Sequence, residues 1–285
     1  MRFEAPETVE AAVALLAGEA GSAFPLSGGT DLLVQMRSGR IAPDLVVDTK
    51  RIPSMREIAR EGAGWRIGAA VSGAEINEHA GLMADWPGIA EAANLVGSTQ
   101  VAGRATLAGN LCNSSPAADT VPAMAAAGAL ARVVGPNGKR DVPVEQIPTG
   151  VGKNALAKGE MVECILLPER GSRASDCYLR FIPRTEMDIA VVGVGVSLTL
   201  GAGDVVEAAR VALGAVAPTV VVVDASPIIG SALDDAALGA LATACEAACN
   251  PIDDKRGTVA FRTEVAGTLA RRAALIARDR AKEKA

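Results

Sequence analysis

Ser27-Gly28-Gly29-Thr30-Asp31-Leu32 and, further along, Thr106-Leu-Ala-Gly-Asn-Leu111 running into Ser114-Ser-Pro-Ala-Ala-Asp119 are the two stretches on which the fold turns. The first lies between a short apolar run, Ala23 to Leu26, and a helical segment, Leu32 to Met36; Asp44 to Asp48 reads as the next strand. Strand, glycine turn, short helix and strand make a compact βαβ unit at the head of the chain. At such a turn Gly28 and Gly29 can take positive φ and let a ligand approach the main chain, so consecutive N–H groups form a nest for an anion. A diphosphate suits that nest, held by amides and the helix N-terminus without any lysine in the motif. The spacing is neither GxGxxG nor the GK[ST] of a P-loop, so the two common nucleotide fingerprints are not supported. One Gly-Gly turn before a helix also reads as a plain turn. A second turn of the same chemistry in the same domain is what a long diphosphate cofactor lying between subdomains requires, with two independent structural turns as the alternative.

Composition narrows what such a cofactor would serve. The chain has 285 residues, 49% of them hydrophobic, with 28 Lys+Arg against 33 Asp+Glu for a net charge of −5. That is the balance of a globular protein long enough for two domains. Its 30 glycines and 15 prolines sit at the edges of apolar segments, which argues against disorder. With only 2 Trp, 1 Tyr and 4 Phe and no basic stripe among them, the footprint of a nucleic-acid binder is missing. The N-terminus lacks the apolar core of a signal peptide and no later segment reads as a membrane span, so a cytoplasmic protein is expected. Five cysteines without CxxC spacing signal neither a disulfide framework nor a zinc or iron–sulfur site in this chain, and Cys245 and Cys249 read as small buried hydrophobes. The single histidine, His79, lies in the polar stretch Ala74 to His79 and reads as structural. Triad or Cys-His catalysis would have to rest on His79 alone and a His-rich metal site cannot be built, so if the chain is an enzyme its chemistry belongs to a bound cofactor.

The rest of the chain fills in around these motifs. Thr8 to Gly18 shows a helical stripe at Val9, Ala12, Val13 and Leu16, with Thr8 as N-cap. Trp65 to Val71 reads as a strand, and Glu75 to Val96 as mostly helical with breaks at Gly81 and Pro87-Gly88. Ser98 to Asp119 is polar, small and glycine-punctuated; a loop of that length is expected to be functional. Thr120 to Ala127 reads as helix, Leu130 to Val134 and Met161 to Leu167 as strands, and Pro136 to Lys139 as a hairpin turn. The charged segment Pro168 to Ala174 is the expected domain link. Beyond it come three strands, Ala190 to Leu200, Val205 to Leu213 and Thr219 to Val223, then helix from Ala232 to Ala281 with its basic residues in the last turns. The second half is thus an α+β meander covered by helices.

With Arg104-Ala-Thr-Leu-Ala-Gly-Asn-Leu-Cys-Asn-Ser-Ser-Pro-Ala-Ala-Asp-Thr-Val-Pro-Ala, Met187-Asp-Ile-Ala-Val-Val, Ala212-Leu-Gly-Ala-Val-Ala-Pro-Thr and Pro251-Ile-Asp-Asp-Lys-Arg added in order to the first motif, the chain resembles the FAD-binding medium subunit of the xanthine dehydrogenase and carbon monoxide dehydrogenase family of molybdenum hydroxylases. The resemblance implies an α+β protein: a two-subdomain FAD-binding domain of vanillyl-alcohol-oxidase (PCMH) type over 1–172, with subdomains of about 1–55 and 56–172, and a C-terminal domain over 173–285 with a three-stranded antiparallel sheet and helices. It implies that Ser27, Gly28, Gly29, Thr30, Asp31 and Leu32 cradle the FAD diphosphate and that Thr106, Ala108, Gly109 and Asn110 form the second cradle. Ser115 and Asp119 are implied as further contacts, Asp119 a polar anchor; Ile165 falls on a strand position lining the site, and Arg180 where relatives carry a lysine near the flavin. Ala108 departs from the paired glycine usual there and must keep a conformation open to a residue with a Cβ.

The same resemblance implies no catalytic residue and no metal in this chain. A large molybdenum-cofactor subunit would oxidise the substrate, a small subunit with 2Fe-2S clusters would relay electrons, and the FAD here would pass them to NAD, a quinone or oxygen, in a dimer of heterotrimers. The chain also lacks the extra cluster of the 4-hydroxybenzoyl-CoA reductase branch. The rivals are a self-contained FAD oxidase or reductase on the same fold and a non-catalytic anion-binding module. The Gly-Gly-Thr-Asp form of the first motif, where carbon monoxide dehydrogenases more often read Gly-Gly-His-Ser, tilts the expectation away from that branch.

Overall fold

The structure, a computed structural model, describes residues 1–184 and 187–284. At the head of the chain β1 (Arg2–Glu4), β2 (Ala23–Leu26) and β3 (Leu45–Asp48) form a parallel sheet in the order β1-β3-β2, Phe3 and Phe24 both in register with Val46. The helix α1 (Val9–Gly18) joins the first two strands, and α2 (Leu32–Arg37) follows the Gly-Gly turn as expected. Thr8 caps α1, its hydroxyl accepting the Ala11 N–H at 3.1 Å and satisfying one of the free donors of the first turn. β1 is too short to show a period in the sequence and exists through its pairing with β3.

The middle of the chain runs through β4 (Ile58–Glu61) and β5 (Gly64–Gly68), six helices, and then more strands. The helices are α3 (Gly73–Glu78), α4 (Ala80–Asp85), α5 (Pro87–Asn94), α6 (Thr99–Ala102), α7 (Leu107–Asn113) and α8 (Thr120–Ala126). β6 (Leu130–Gly135), β7 (Gly138–Pro143), the small hairpin β8 (Pro148–Gly150) and β9 (Lys153–Asn154), and β10 (Met161–Leu167) follow. The larger strands make an antiparallel sheet in the order β4-β5-β10-β6-β7.

Two expectations change here. The helical run breaks at His79 and Trp86, not at Gly81, because His79 turns out of the helix and its Nδ1 accepts the Leu82 N–H at 3.1 Å to start α4. Its ring stands edge-on to Trp65, centroids 5.1 Å apart, a structural role. Pro87 then opens α5, where a missing N–H costs nothing. Nor is Ser98 to Asp119 a single loop: α6 and α7 form inside it, α7 started by Thr106, whose hydroxyl accepts the Gly109 N–H at 2.9 Å.

In the second half β11 (Ala174–Phe181), β12 (Val192–Leu200), β13 (Val206–Gly214) and β14 (Val221–Val223) form an antiparallel sheet in chain order, covered by α9 (Asp235–Ala247) and α10 (Val259–Glu283). The sheet has four strands where three were expected. The missed strand, β11, carries Asp176, Tyr178 and Arg180 on one face, and the Asp119 partner of Tyr178 and Arg180 lies far away in sequence, so its apolar period is hidden. Cys177 joins the core of the C-terminal half on the other face, while Tyr178 joins that of the first half. The expected continuous helix is interrupted between α9 and α10 by the stretch containing Pro251. Among the described residues no helix is long and apolar enough to cross a membrane.

The two halves meet where α5 and α8 lie on β11, β12 and β13. Glycine permits the close approach: a Cβ on Gly195 would fall 2.5 Å from the Pro122 carbonyl oxygen, and one on Gly214 2.6 Å from the Pro122 ring. Arg170 locks the edge of this interface. Its guanidinium stacks 3.6 Å above Trp86 of the first half, pairs with Asp176 at 2.8 Å and reaches Ser197 at 2.9 Å. Both charged side chains are almost wholly buried, at 6% and 4% exposure. Arg170→Ala would leave the Asp176 charge without its partner and is expected to destabilise the chain by about 3–5 kcal/mol. Urea unfolding measures this, and replacing both partners by Arg170→Met with Asp176→Leu should recover most of the loss.

Candidate functional site

A cleft of about 460 Å³ opens between the parallel unit and the α7 segment, within the roughly 300–1,000 Å³ span of small-molecule sites. Both glycine-rich turns line it. They touch each other directly: a Cβ built on Gly28 would stand 1.9 Å from the carbonyl oxygen of Arg104 and 3.2 Å from Ala105 Cα, so glycine is required for the turns to pack. Gly29 has φ = +80°, the left-handed region. A bond from the Gln35 Nε2 of α2 to the Asn113 Oδ1 of α7, 2.9 Å, ties the two walls together.

The first turn leaves a run of backbone donors without protein partners among the described residues. Among the described residues none of the N–H groups of Gly28 to Leu32 has a protein acceptor, whereas Leu33 donates to the Gly29 carbonyl at 3.1 Å. Consecutive free amides at a strand-to-helix turn are a nest. Lys50, outside the motif, stands beside it, donating to the Ser27 carbonyl at 3.1 Å and to Asp48 at 2.7 Å, so a cation is close although the motif carries none. Asp31 faces the cleft, and the surrounding walls raise its carboxyl above the ordinary value by desolvation.

In the second turn Ala108 takes the second position of α7, a helical conformation that needs no glycine, and its N–H has no protein acceptor among the described residues. Asn110 is oriented from behind. Its Oδ1 accepts from both the backbone N–H (3.2 Å) and hydroxyl (2.7 Å) of Thr120, which leaves Nδ2 as a donor toward the cleft. Cys112 also lines the cleft; burial pushes its thiol up to about 12, so it is held in the protonated, poorly nucleophilic form.

The sequence-expected residues therefore divide. Ser27, Gly28, Gly29, Thr30, Asp31, Leu32, Thr106, Ala108, Gly109 and Asn110 come together on the cleft wall. Ser115, Asp119, Ile165 and Arg180 lie off it. Ser115 is exposed, its hydroxyl accepting the Ala117 N–H at 3.3 Å, and Ile165 is fully buried between β5 and β6. Asp119 and Arg180 meet in an ion pair of 2.8 Å behind α7, joined by the Tyr178 hydroxyl at 2.9 Å. Burial raises the Asp119 carboxyl above its usual value, and Arg180 and Tyr178 pull it back. Gln35, Cys112, Asn113 and the segment Leu156 to Val162 line the cleft without having been singled out in the sequence. Asn113 and Cys112 lie inside the quoted motif, but nothing in the sequence of 156–162 marks it.

Residues 1–170 match the FAD binding domain in molybdopterin dehydrogenase, and residues 178–277 the carbon monoxide dehydrogenase flavoprotein C-terminal domain. The chain belongs to the FAD-binding medium subunits of the molybdenum hydroxylases, as an FAD-dependent oxidoreductase subunit. Within that family it is 33% identical over 276 residues to the carbon monoxide dehydrogenase medium chain of Hydrogenophaga pseudoflava, covering 95% of this chain and 96% of that one. It is 29% identical over 196 residues to the xanthine dehydrogenase FAD-binding subunit of Escherichia coli O157:H7, 68% and 67% of the two chains. The solved carbon monoxide dehydrogenase of H. pseudoflava matches with a TM-score of 0.93 at 32% identity over 98% of both chains. The similarity to carbon monoxide dehydrogenase lends no support to the tilt drawn from Gly-Gly-Thr-Asp.

FAD fits this cleft on its own geometry. Free amides on the first turn, a free N–H and an oriented carboxamide on the second, and glycine contacts that a Cβ would fill supply a diphosphate site with few titratable groups. Gly28→Ala drives a methyl into the Arg104 carbonyl, so a loss of roughly tenfold or more in FAD affinity is expected, followed by fluorescence titration of the apo-chain. Ala108→Gly should keep FAD bound and cost only about 1 kcal/mol of stability, because the position is helical.

Proposed function

We propose that the chain holds FAD between its two glycine-rich turns as the electron exit of a multi-subunit molybdenum hydroxylase. In this reading a partner subunit carrying 2Fe-2S clusters delivers electrons, a partner with the molybdenum cofactor oxidises the substrate, and an external acceptor, NAD, a quinone or oxygen, removes the electrons. The single observation that carries it is the junction of the two turns, which brings backbone N–H groups without a protein acceptor among the described residues to the wall of one cleft. Bound FAD supplies electron transfer in single or paired steps, which is the chemistry such a junction needs. The chain's own residues bind and orient: Gly28 to Leu32 present amides, Thr106 fixes α7, Asn110 offers Nδ2, and Gln35 with Asn113 spans the walls.

The same proposal divides the chain into an FAD-binding domain, 1–172, with subdomains of about 1–55 and 56–172, and a C-terminal domain, 173–285, and puts the protein in the cytoplasm in a dimer of heterotrimers. It is supported by one core drawn almost wholly from the residues before 168 and another drawn from residues after 176, and by similarity to medium chains along nearly the whole length. Substrate selectivity then resides in the molybdenum subunit.

Co-expression with the neighbouring large- and small-subunit genes, followed by affinity purification on this chain, tests the assembly. The expected result is a complex with the visible flavin band that bleaches on adding substrate and recovers with the acceptor. A colourless chain recovered alone would overturn the proposal, and substrate oxidation by the isolated chain would favour the self-contained enzyme. Free FAD at about a thousand times its Kd should stabilise the chain by about 4 kcal/mol, read as a higher unfolding midpoint.

A further inference from the structure

We propose that the surface behind the first turn, formed by Leu33, Val34 and Arg37 of α2 with Lys50, Arg51 and Arg104, docks an acidic one-electron carrier protein as the external acceptor. The inference rests on the reading of the chain as an electron exit and adds a class of acceptor to it.

Leu33 and Val34 are 50% and 62% exposed, two adjacent aliphatic side chains just after the glycine turn. Leu33 shares a hollow with Lys50 and Arg104, and Gly28, Gly29 and Thr30 line both this hollow and the cleft. One turn of backbone thus serves the cofactor on one side and this surface on the other. Arg37 follows Leu33 by four residues on the same face of α2, and Arg51 is the residue after Lys50. Lys50 pairs with Asp48, but Arg37, Arg51 and Arg104 are exposed and have no ion-pair partner among the described residues. That is unusual for this chain, in which acids outnumber bases and most arginines are paired, Arg56 with Glu75 and Arg132 with Asp141 among them. Neither Arg37 nor Arg51 lines the hollow, so the positive charge extends over the surface beyond any small anion held there. Uncommitted charge of one sign around a small apolar centre suits a protein of opposite charge: it steers the encounter, while the contact stays small and short-lived. Bound FAD can release its electrons singly. Two carriers are then reduced in turn for each reduced flavin, one electron to each, and the two protons it sheds pass to water.

The test uses the co-expressed complex and, beside it, the full-length chain alone. The haem domain of cytochrome b5 is the acidic probe, basic cytochrome c the control of opposite charge, and an uncharged short-chain quinone the small acceptor. At low ionic strength the substrate-reduced complex is expected to reduce cytochrome b5 about tenfold faster than cytochrome c, and high salt should abolish the difference. Arg37→Glu combined with Arg51→Glu should lower kcat/KM for cytochrome b5 roughly tenfold while quinone reduction stays within about twofold. Val34→Asp should act in the same direction. Titration calorimetry of the chain alone with oxidised cytochrome b5 should show the same weakening without any turnover. If the complex carries no flavin, the cleft assignment and the electron exit fall together. If flavin is present and reduced by substrate, but cytochrome b5 neither binds nor outpaces cytochrome c, the docking proposal alone is overturned. Charge reversal that slows the quinone equally would overturn it too. So would charge reversal that strips the iron–sulfur partner from the complex, because the surface would then belong to that subunit.

Discussion

The contact of Gly28 with the Arg104 carbonyl is the constraint from which the cleft follows. Two segments far apart in sequence pass so close that no side chain fits between them. Among the described residues each turn there keeps donors without a protein acceptor: five consecutive amides on one side, the start of α7 on the other. A turn satisfied by neighbouring side chains would have committed those donors to the protein itself. Unpaired N–H groups are costly when buried dry. Their persistence at a cleft lined by few charged groups fits the FAD-binding family to which the chain belongs.

Close backbone approach also shapes the interface between the halves. Small residues on the C-terminal sheet, Gly195 and Gly214, admit α8, so the helix that follows the second turn is seated directly on the other half. Polar side chains then fix orientation where apolar packing only supplies contact: Arg170 with Asp176 at one edge, Arg180 and Tyr178 with Asp119 nearer the cleft. Buried ion pairs add little net stability, but they tolerate few geometries. A flavin subunit whose site borders this interface gains a defined relation between its halves.

Local motifs are legible in the amino-acid sequence alone. The βαβ head, the Thr8 cap and the two glycine turns follow from spacing and residue type, because a cap or a glycine turn is decided by the few residues around it. The ten cleft-lining residues, by contrast, are named through the family resemblance. What escapes such a reading depends on distant partners. β11 escapes a strand reading because the polar Tyr178 and Arg180 find their partner, Asp119, only after folding. α6 and α7 hide in a run of Gly, Ser, Thr and Asn, where helix propensity is low and packing outweighs it.

Composition and spacing alone thus direct the reading, for an enzyme, toward a cofactor and away from a titratable side chain as the carrier of the chemistry: the chain has one histidine, scattered cysteines and two glycine turns. Folding in three dimensions settles how those turns join, that Gly28 is needed for a backbone contact within the protein, and that Asp119 and Arg180 face each other behind the cleft wall. The reason is physical. Chain conformation at a turn is set by neighbours in sequence, whereas the space around a Cα and the partner of a buried charge are set by whatever the fold brings alongside.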